Sequence, residues 1–316
     1  MTTKIRLGSR GSPLALAQCE QVARLLARMA GETAERFPIE AFTTSGDRIQ
    51  DRKLIDAGGK GLFTKELDEA LLAGRIDAAV HSMKDLPTKL PDGVVLASVP
   101  AREDPRDAFV SSKARELMAL PKGAVVGTAS LRRQAQTLHL RPDLKVVTLR
   151  GSVQTRLKKL EDGAIDATYL AFAGLKRLGL EGHAASLIDT ELMPPAPGQG
   201  ALAVTARSSD VATLEALKRL TVAEFEVATI AERAFLAALD GSCRTPIAAL
   251  AKLEGQRLSF IGEFLSLDGA KRWRKAAQIA LGADARGDAQ ALGAKLGGEI
   301  RKEAGTGFQP ENMNGW

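Results

Sequence analysis

Cys243 stands in the run Gly241-Ser242-Cys243-Arg244-Thr245-Pro246, which sets a thiol beside a guanidinium in a Gly/Ser/Pro turn. A neighbouring cation favours thiolate over thiol, and thiolate is the nucleophilic form, so this position is equipped to carry a covalently attached group. Taken alone it reads equally well as a small hydrophobe filling a turn. The other cysteine, Cys19, falls in the helical run Pro13 to Ala30 and reads as core or helix surface. Arginine suits carboxylates because its planar fork makes two parallel charge-assisted bonds. Arginines gather here at strand-to-helix junctions. Arg10 precedes Ser12, Arg132 and Arg133 follow Gly127-Thr128-Ala129-Ser130, Arg150 ends a strand, and Arg156 lies on the next helix. Asp85, in His81-Ser82-Met83-Lys84-Asp85-Leu86-Pro87, is either a turn former or a carboxylate facing a substrate, with Lys84 as its adjacent counter-charge.

The elements that must position these groups follow from periodicity and caps. Lys4 to Gly8 reads as a strand, and Ser12 with Pro13 starts a helix whose Leu14, Gln18, Val22, Leu25 and Met29 keep helical spacing up to Gly31. A helix from Thr64 to Ala73 closes at Gly74, and Ile76 to Val80 reads as a buried strand. Ala73-Gly74-Arg75-Ile76-Asp77-Ala78 is echoed by Asp162-Gly163-Ala164-Ile165-Asp166-Ala167, each copy between a helix and a strand. The echo and the alternation predict two similar doubly wound α/β domains facing a ligand cleft. Junctions at the carboxyl ends of parallel strands are the usual binding places in such domains, and helix N-termini add N–H donors for anions. Met193 to Gly200, rich in proline and glycine, reads as a crossover, followed by a strand from Ala201 to Ala206. Val222 to Leu239 reads as a helix, Ile247 to Leu267 as an antiparallel meander, and Ala289 to Glu303 as a last helix capped by Asp288. The expected domains are 1–100 with 200–220, then 101–199, then a smaller α+β domain over 221–316. Ser45 to Gly61, long, charged and glycine-bearing, reads either as a mobile lid or as functionless surface.

With 45% hydrophobic and 26% charged residues over a length of 316, the chain has the balance of a soluble globular protein with several domains. A net charge of +6 favours an anionic partner. Aromatic residues make up only 4%, too few for base-stacking platforms, and the basic residues are dispersed, so a small polycarboxylate or phosphate fits better than nucleic acid. No apolar run approaches the roughly 18 residues of a membrane span, and the first residues lack an export signal, which makes a reducing cytoplasm the expectation. His81, His139 and His183 stand apart and no CxxC or HExxH occurs, so no metal site is expected. Gly58-Gly59-Lys60-Gly61 lacks the spacing of a phosphate-binding loop.

In order along the chain, SRGSPLALAQ, GGKGLFTKELDEALL, DAAVHSMKDLP, REDPRDAFVS, GTASLRRQAQ, LRGSVQTRL, AGLKRLGL, PAPGQGAL and GSCRTPI closely resemble the porphobilinogen deaminase (hydroxymethylbilane synthase) family of tetrapyrrole biosynthesis. The resemblance covers nearly the whole chain. It implies a cytoplasmic transferase of three domains, the first two similar to periplasmic binding proteins, acting as a monomer without nucleic acid or membrane. It implies a dipyrromethane cofactor joined to Cys243 by a thioether and held by Ser12, Lys84, Asp85, Ser130, Arg132, Arg133, Arg150 and Gly151. It further implies stepwise head-to-tail condensation of four porphobilinogen molecules with release of ammonia, then hydrolysis to hydroxymethylbilane. Asp85 resembles the catalytic aspartate that stabilises a cationic azafulvene. Arg10, Ser12, Phe63, Arg150, Arg156 and Arg177 are implied in substrate binding, and Gly58, Gly59 and Lys60 in the lid. Ser242 and Ser152 stand where glycine and asparagine are expected; serine caps helices as asparagine does. The residues by themselves leave a non-catalytic two-domain protein for an acidic small molecule as the alternative.

Overall fold

The computed structural model describes residues 4–48, 63–239 and 245–305. In chain order the first elements are β1 (Leu7–Arg10), α1 (Pro13–Ala30), β2 (Ile39–Phe42), the single turn α2 (Ser45–Arg48), α3 (Lys65–Leu72), β3 (Ala78–Ser82) and β4 (Val94–Ser98). There follow β5 (Asp107–Ser111), β6 (Val125–Gly127), α4 (Leu131–Leu140), β7 (Lys145–Val147), α5 (Val153–Glu161), β8 (Ala167–Ala171), α6 (Phe172–Arg177) and β9 (Ser186–Leu187). The rest of the chain forms β10 (Leu202–Arg207), α7 (Val211–Lys218), α8 (Ala223–Ala238), β11 (Ile247–Glu254), β12 (Arg257–Leu265), β13 (Arg272–Ala280) and α9 (Ala285–Ala304). These fall into two compact units, Met1–Glu103 with Gly200–Glu226, and Asp104–Gln199 with Val227–Trp316.

The first unit is built on a sheet of order β2-β1-β3-β10-β4, and the second contains one of order β7-β6-β8-β5-β9. In each, three strands run parallel, and an antiparallel strand, β10 or β5, separates the third from the outermost. The two sheets therefore share one plan, as the sequence echo implies. Its recurring aspartates do the same work in both copies. Asp77 accepts from the backbone N of Arg6 at 2.9 Å, and Asp166 from that of Val125 at 2.7 Å, each fixing the entry of the third strand against the first. Burial opposes ionisation of Asp77, but the hydrogen bonds from Arg6 outweigh it and hold the acid down at about 2.

Ser12 caps α1, accepting from the N of Ala15 at 3.3 Å, and Pro13 occupies the first turn, where it sacrifices no intrahelical bond. The buried stripe is Cys19, Val22, Ala23, Leu26 and Ala27, packed on Leu7, Val80, Leu202 and Val204. This corrects the stripe expected through Leu25 and Met29, since Met29 is 47% exposed. Small alanines let the helix lie close to the sheet, which turns Met29 outward. Cys19 is core, and burial pushes its thiol up to about 12, far from a reactive thiolate. The first strand starts at Leu7 rather than Lys4, because the backbone N of Arg6 is taken by Asp77 before pairing with β2 begins.

The second unit also holds the meander β11-β12-β13, covered on one face by α8 and α9 through Phe235, Phe260, Leu292, Leu296 and Ile300. Fully burying such side chains contributes about 1.5–3 kcal/mol each. The last helix begins one turn before the expected Ala289. Asp284 is its cap, accepting from the N of Gly287 at 3.0 Å, while Asp288 reaches back to the N of Gly282 at 2.6 Å. The crossover Met193 to Gly200 is tied down by Glu232 of α8. One oxygen of this buried carboxylate accepts from the N of Gly198 at 2.6 Å and the other from the N of Ala251 at 2.9 Å.

Candidate functional site

In the first unit the carboxyl ends of β1 and β3 open onto a small cleft of about 60 Å³, continuous with solvent, lined by Arg10, Ser12, Gln18, Phe63, His81 and Asp85 among others. Asp85 and Lys84 lie in the tight turn Met83–Asp85 directly after β3. The turn is clamped at both ends: the N of Met83 donates to Ala201 O at 3.0 Å, and the N of Leu86 returns to Met83 O at 3.1 Å. Met83 and Leu86 are buried while Asp85 between them is half-buried, so the carboxylate is presented from a fixed backbone. Arg10 lies over the Phe63 ring, its guanidinium carbon 4.3 Å from the centroid, which holds the long side chain flat and in place.

Gln18, His81 and Ser82 also line this cleft and were not singled out from sequence as site residues. The Nε2 of His81 lies 3.0 Å from Thr205 Oγ1, and burial together with the charge of Arg10 pushes this imidazole down to about 4, so it is neutral near pH 7. Gln18 Nε2 donates to Ser82 Oγ at 2.9 Å. The available signal was that the apolar run of β3 breaks off into His81-Ser82 before the turn. Asp85 is thus the carboxylate of a cleft that otherwise offers a cation, hydroxyls, an amide and a neutral ring.

The second unit carries the other arginines. Ser130 caps α4, accepting from the N of Arg133 at 3.4 Å, and Ser152 caps α5, accepting from the N of Thr155 at 3.2 Å, as expected of a serine in an asparagine's place. Gly151 between Arg150 and Ser152 has φ +116°, and a Cβ there would fall 2.7 Å from the Thr155 side chain, so the junction requires glycine. Arg156 turns back to donate from Nε to Gly151 O at 2.9 Å. Burial, and then the positive charges of Arg133 and Arg150, depress its guanidinium to about 10. Such mutual repulsion is relieved by a bound anion, which makes this cluster fit a ligand with several carboxylates. Arg177 is half-buried at the end of α6.

Arg132 and Arg133 depart from the picture of open forks at a junction. Both are buried, and both close on the fully buried Asp107: Arg132 Nη1 donates to Oδ2 at 2.8 Å and Arg133 Nη2 to Oδ1 at 2.7 Å. Gln199 Nε2 adds a third donor to Oδ1 at 2.8 Å. Burial would raise the Asp107 acid, but the two guanidinium charges win and hold it well below the usual carboxylate range. Two arginines against one aspartate still leave a net positive charge at the N-terminus of α4, and the Nε of each arginine is a buried donor with no hydrogen-bond partner. Cys243, with Gly241 and Ser242, and the lid residues Gly58, Gly59 and Lys60 lie outside the described residues. Among the described residues no helix is long and apolar enough to cross a membrane, and no cluster of His, Cys, Asp and Glu could hold a metal.

Residues 5–215 match the family model of the porphobilinogen deaminase dipyromethane cofactor binding domain, and residues 227–302 that of the porphobilinogen deaminase C-terminal domain. The chain is 53% identical over 312 residues to a porphobilinogen deaminase of Caulobacter vibrioides (strain NA1000 / CB15N), covering 95% of this chain and 96% of the relative. It is 52% identical over 302 residues to one of Nitrobacter hamburgensis, covering 96% and 94%. Among solved structures it is similar to the methionine binding protein MetQ, at 16% identity and a TM-score of 0.42, over 73% of this chain and 93% of that one. The chain belongs to the porphobilinogen deaminase family.

Proposed function

We propose that this enzyme of porphyrin synthesis is a transferase that condenses four porphobilinogen molecules head to tail, with loss of ammonia, and hydrolyses the product to hydroxymethylbilane. The observation that carries the reading is the first unit's cleft, where Asp85 is held on a clamped turn beside Arg10 and Ser12. Loss of ammonia leaves a cation spread over a pyrrole. A carboxylate already fixed by the fold stabilises that charge without solvent reorganisation and accepts the pyrrole N–H. Arg10, Lys84 and Ser12 bind acetate and propionate arms of the substrate, and Phe63 keeps Arg10 extended over its ring. Arg150, Arg156 and Arg177 neutralise the carboxylates of a lengthening chain.

The residues fit a dipyrromethane. Its carboxylates answer the repulsion among Arg133, Arg150 and Arg156, and the N-terminus of α4 is suited to anionic oxygen. Ser130, Arg132, Arg133, Arg150 and Gly151, with Lys84, Asp85 and Ser12, are the residues proposed to hold it, and Cys243 the thioether carbon's partner. When bound, this group supplies the pyrrole carbon on which new rings are added. The domain division 1–100 with 200–220, 101–199 and 221–316, a lid at Gly58, Gly59 and Lys60, a monomeric state and a cytoplasmic location belong to the same proposal. The family model's boundary at residue 227 supports a separate C-terminal domain.

Intact mass is the test. The purified chain is expected to exceed its sequence mass by one dipyrromethane, and Cys243→Ser to be folded, inactive and without the adduct, since a hydroxyl is a far poorer nucleophile than a thiolate. An unmodified yet fully active parent, or undiminished bilane formation by the serine variant, would overturn the assignment.

A further inference from the structure

Gln136, on α4, is the link between the arginine pair and the C-terminal meander. Its Oε1 accepts from Arg132 Nη1 at 3.0 Å, while its Nε2 donates to Glu263 Oε1 of β12 at 2.7 Å and to Pro194 O at 2.9 Å. Gln136 and Glu263 are both buried, at 2% and 1% exposure. A guanidinium only donates, whereas a carboxylate and a carbonyl only accept, so the amide has one workable orientation. Turned over, it would set N–H against N–H and oxygen against oxygen.

The meander is seated on α4 at fixed points that give this contact its register. The turn between β12 and β13 lies so close that a Cβ on Gly269, whose φ is +72°, would fall 2.4 Å from the backbone N of His139. His139 Nδ1 meets Gly269 O at 2.8 Å, and Gln134 Nε2 donates to Leu267 O at 3.4 Å. Glu263 is therefore delivered to Gln136 by an anchored strand.

What marks Glu263 out is the cost of keeping it there. Its Oε2 is buried with no hydrogen-bond partner, and the Arg274 guanidinium stops 3.7 Å away, itself donating to Glu191 at 3.0 Å. Burial raises the acid, against Gln136 and the charges of Arg274, Arg272 and Arg132, which are the groups facing it from α4 and β13. A buried carboxylate oxygen held only by an ion pair at 3.7 Å recovers little of its desolvation, and an apolar side chain would serve a purely structural position as well. We propose that Glu263 is a positioning residue for the reaction: through the amide of Gln136 it holds the Arg132 fork on Asp107 and so fixes the arginine pair at the N-terminus of α4. This rests on the reading that Arg132 serves the cofactor and substrate.

The test uses the holoenzyme and two readouts. Glu263→Leu removes the acceptor, whereas Glu263→Gln keeps an oxygen for Gln136 and removes the charge. Loss of orientation in a binding arginine appears in KM more than in kcat. The expected result is a KM for porphobilinogen raised about tenfold in Glu263→Leu, the worth of roughly one charge-assisted contact, with kcat within about threefold and Glu263→Gln within about twofold of the parent. The second readout is the Arg132 Nε–H resonance in a 15N-labelled protein, assigned by its absence from Arg132→Lys. It is expected unmoved in Glu263→Gln and displaced or lost in Glu263→Leu. Should Glu263→Leu not fold, Gln136→Met cuts the same link and is read in the same way. An unmoved Arg132 resonance, or a Glu263→Gln variant as impaired as Glu263→Leu, overturns the proposal. A resonance displaced in Glu263→Leu, together with a KM that Arg132→Lys leaves unchanged, instead upholds the positioning and removes Arg132 from substrate handling.

Discussion

Replacing Asp107 by asparagine is expected to destabilise the second unit severely, because three donors converge on its two oxygens. Arg132 holds Oδ2 at 2.8 Å, and Arg133 and Gln199 share Oδ1 at 2.7 and 2.8 Å. Asparagine offers one acceptor and presents an NH2 to whichever guanidinium faces the other side. Breaking a buried pair by removing one partner costs about 3–5 kcal/mol, since the remaining charge stays buried and uncompensated. For a protein of this size each kcal/mol moves Tm by about 2–4 °C, so a fall of roughly 10 °C is expected in a thermal melt followed by circular dichroism. The pH dependence provides a second check with a definite sign. The folded-state acid lies well below its unfolded value, so its stabilisation is present above the unfolded pKa, about 3.9, and is lost as pH falls below it. The gap between parent and variant should therefore begin to narrow below about pH 4 and go on narrowing as the pH falls further. A variant that melts within about 2 °C of the parent at pH 7, or a gap that persists unchanged to pH 3, would refute the account of Asp107 as the counter-ion of both arginines.

Asp85→Asn keeps the shape of the side chain and removes its charge; kcat is expected to fall by about 10² to 10⁴, Asp85→Glu retaining part of the activity, and turnover within about threefold would make Asp85 a turn residue only. Asp68 of α3 is buried and its carboxyl is pushed up to about 6, by burial first, against a hydrogen bond from Thr64. A raised folded-state acid loses stability as pH climbs from about 3.9 to 6, so Asp68→Asn should gain about 1–2 kcal/mol over the parent in urea unfolding at pH 8 and nothing at pH 3.5; equal gains at both would rule out titration as the cause. Glu232→Ala strands the backbone N–H groups of Gly198 and Ala251 and is expected to lower the urea midpoint by the equivalent of about 2–4 kcal/mol, a loss that an unchanged midpoint would deny.

Local chemistry made much of this legible. The start of α1 follows from Ser12 and Pro13, the corresponding strands β3 and β8 of the two sheets from the repeated Ile-Asp-Ala, and the arginine junctions from turn and cap residues just before them. The failures have physical sources. The face of α1 was misplaced by one step because Met29 outweighs Ala23 and Ala27 in apolar bulk, although close approach to a sheet favours alanine. Asp284 and Asp288 both qualify as caps, and the glycines around them hide that the chain uses both. Asp107, Gln136 and Glu263 carry no local signature at all. Asp107 meets arginines 25 and 26 residues on, and Glu263 meets an amide 127 residues back, so their pairing is a property of topology. The sequence therefore pointed to arginines as ligand forks and could not reveal the aspartate that already occupies two of them.

The interleaving of β10 bears on how the chain matures during translation. Strands β5 to β9 all lie between Asp107 and Leu187, so their sheet is complete in a nascent chain that has not yet emitted Leu202. The sheet of the first unit has no such contiguity, for β10 fills the gap between β3 and β4, and its residues Leu202 to Ala206 are almost wholly buried there. Until that strand emerges, β3 and β4 each offer an open edge beside apolar surface, the arrangement most prone to pairing with another chain. Vectorial synthesis thus reverses the written order of the two sheets. Of the two five-stranded sheets, the one that begins the polypeptide closes second, and the interval in which it needs shelter from neighbouring chains lasts as long as the ribosome takes to cross the intervening stretch.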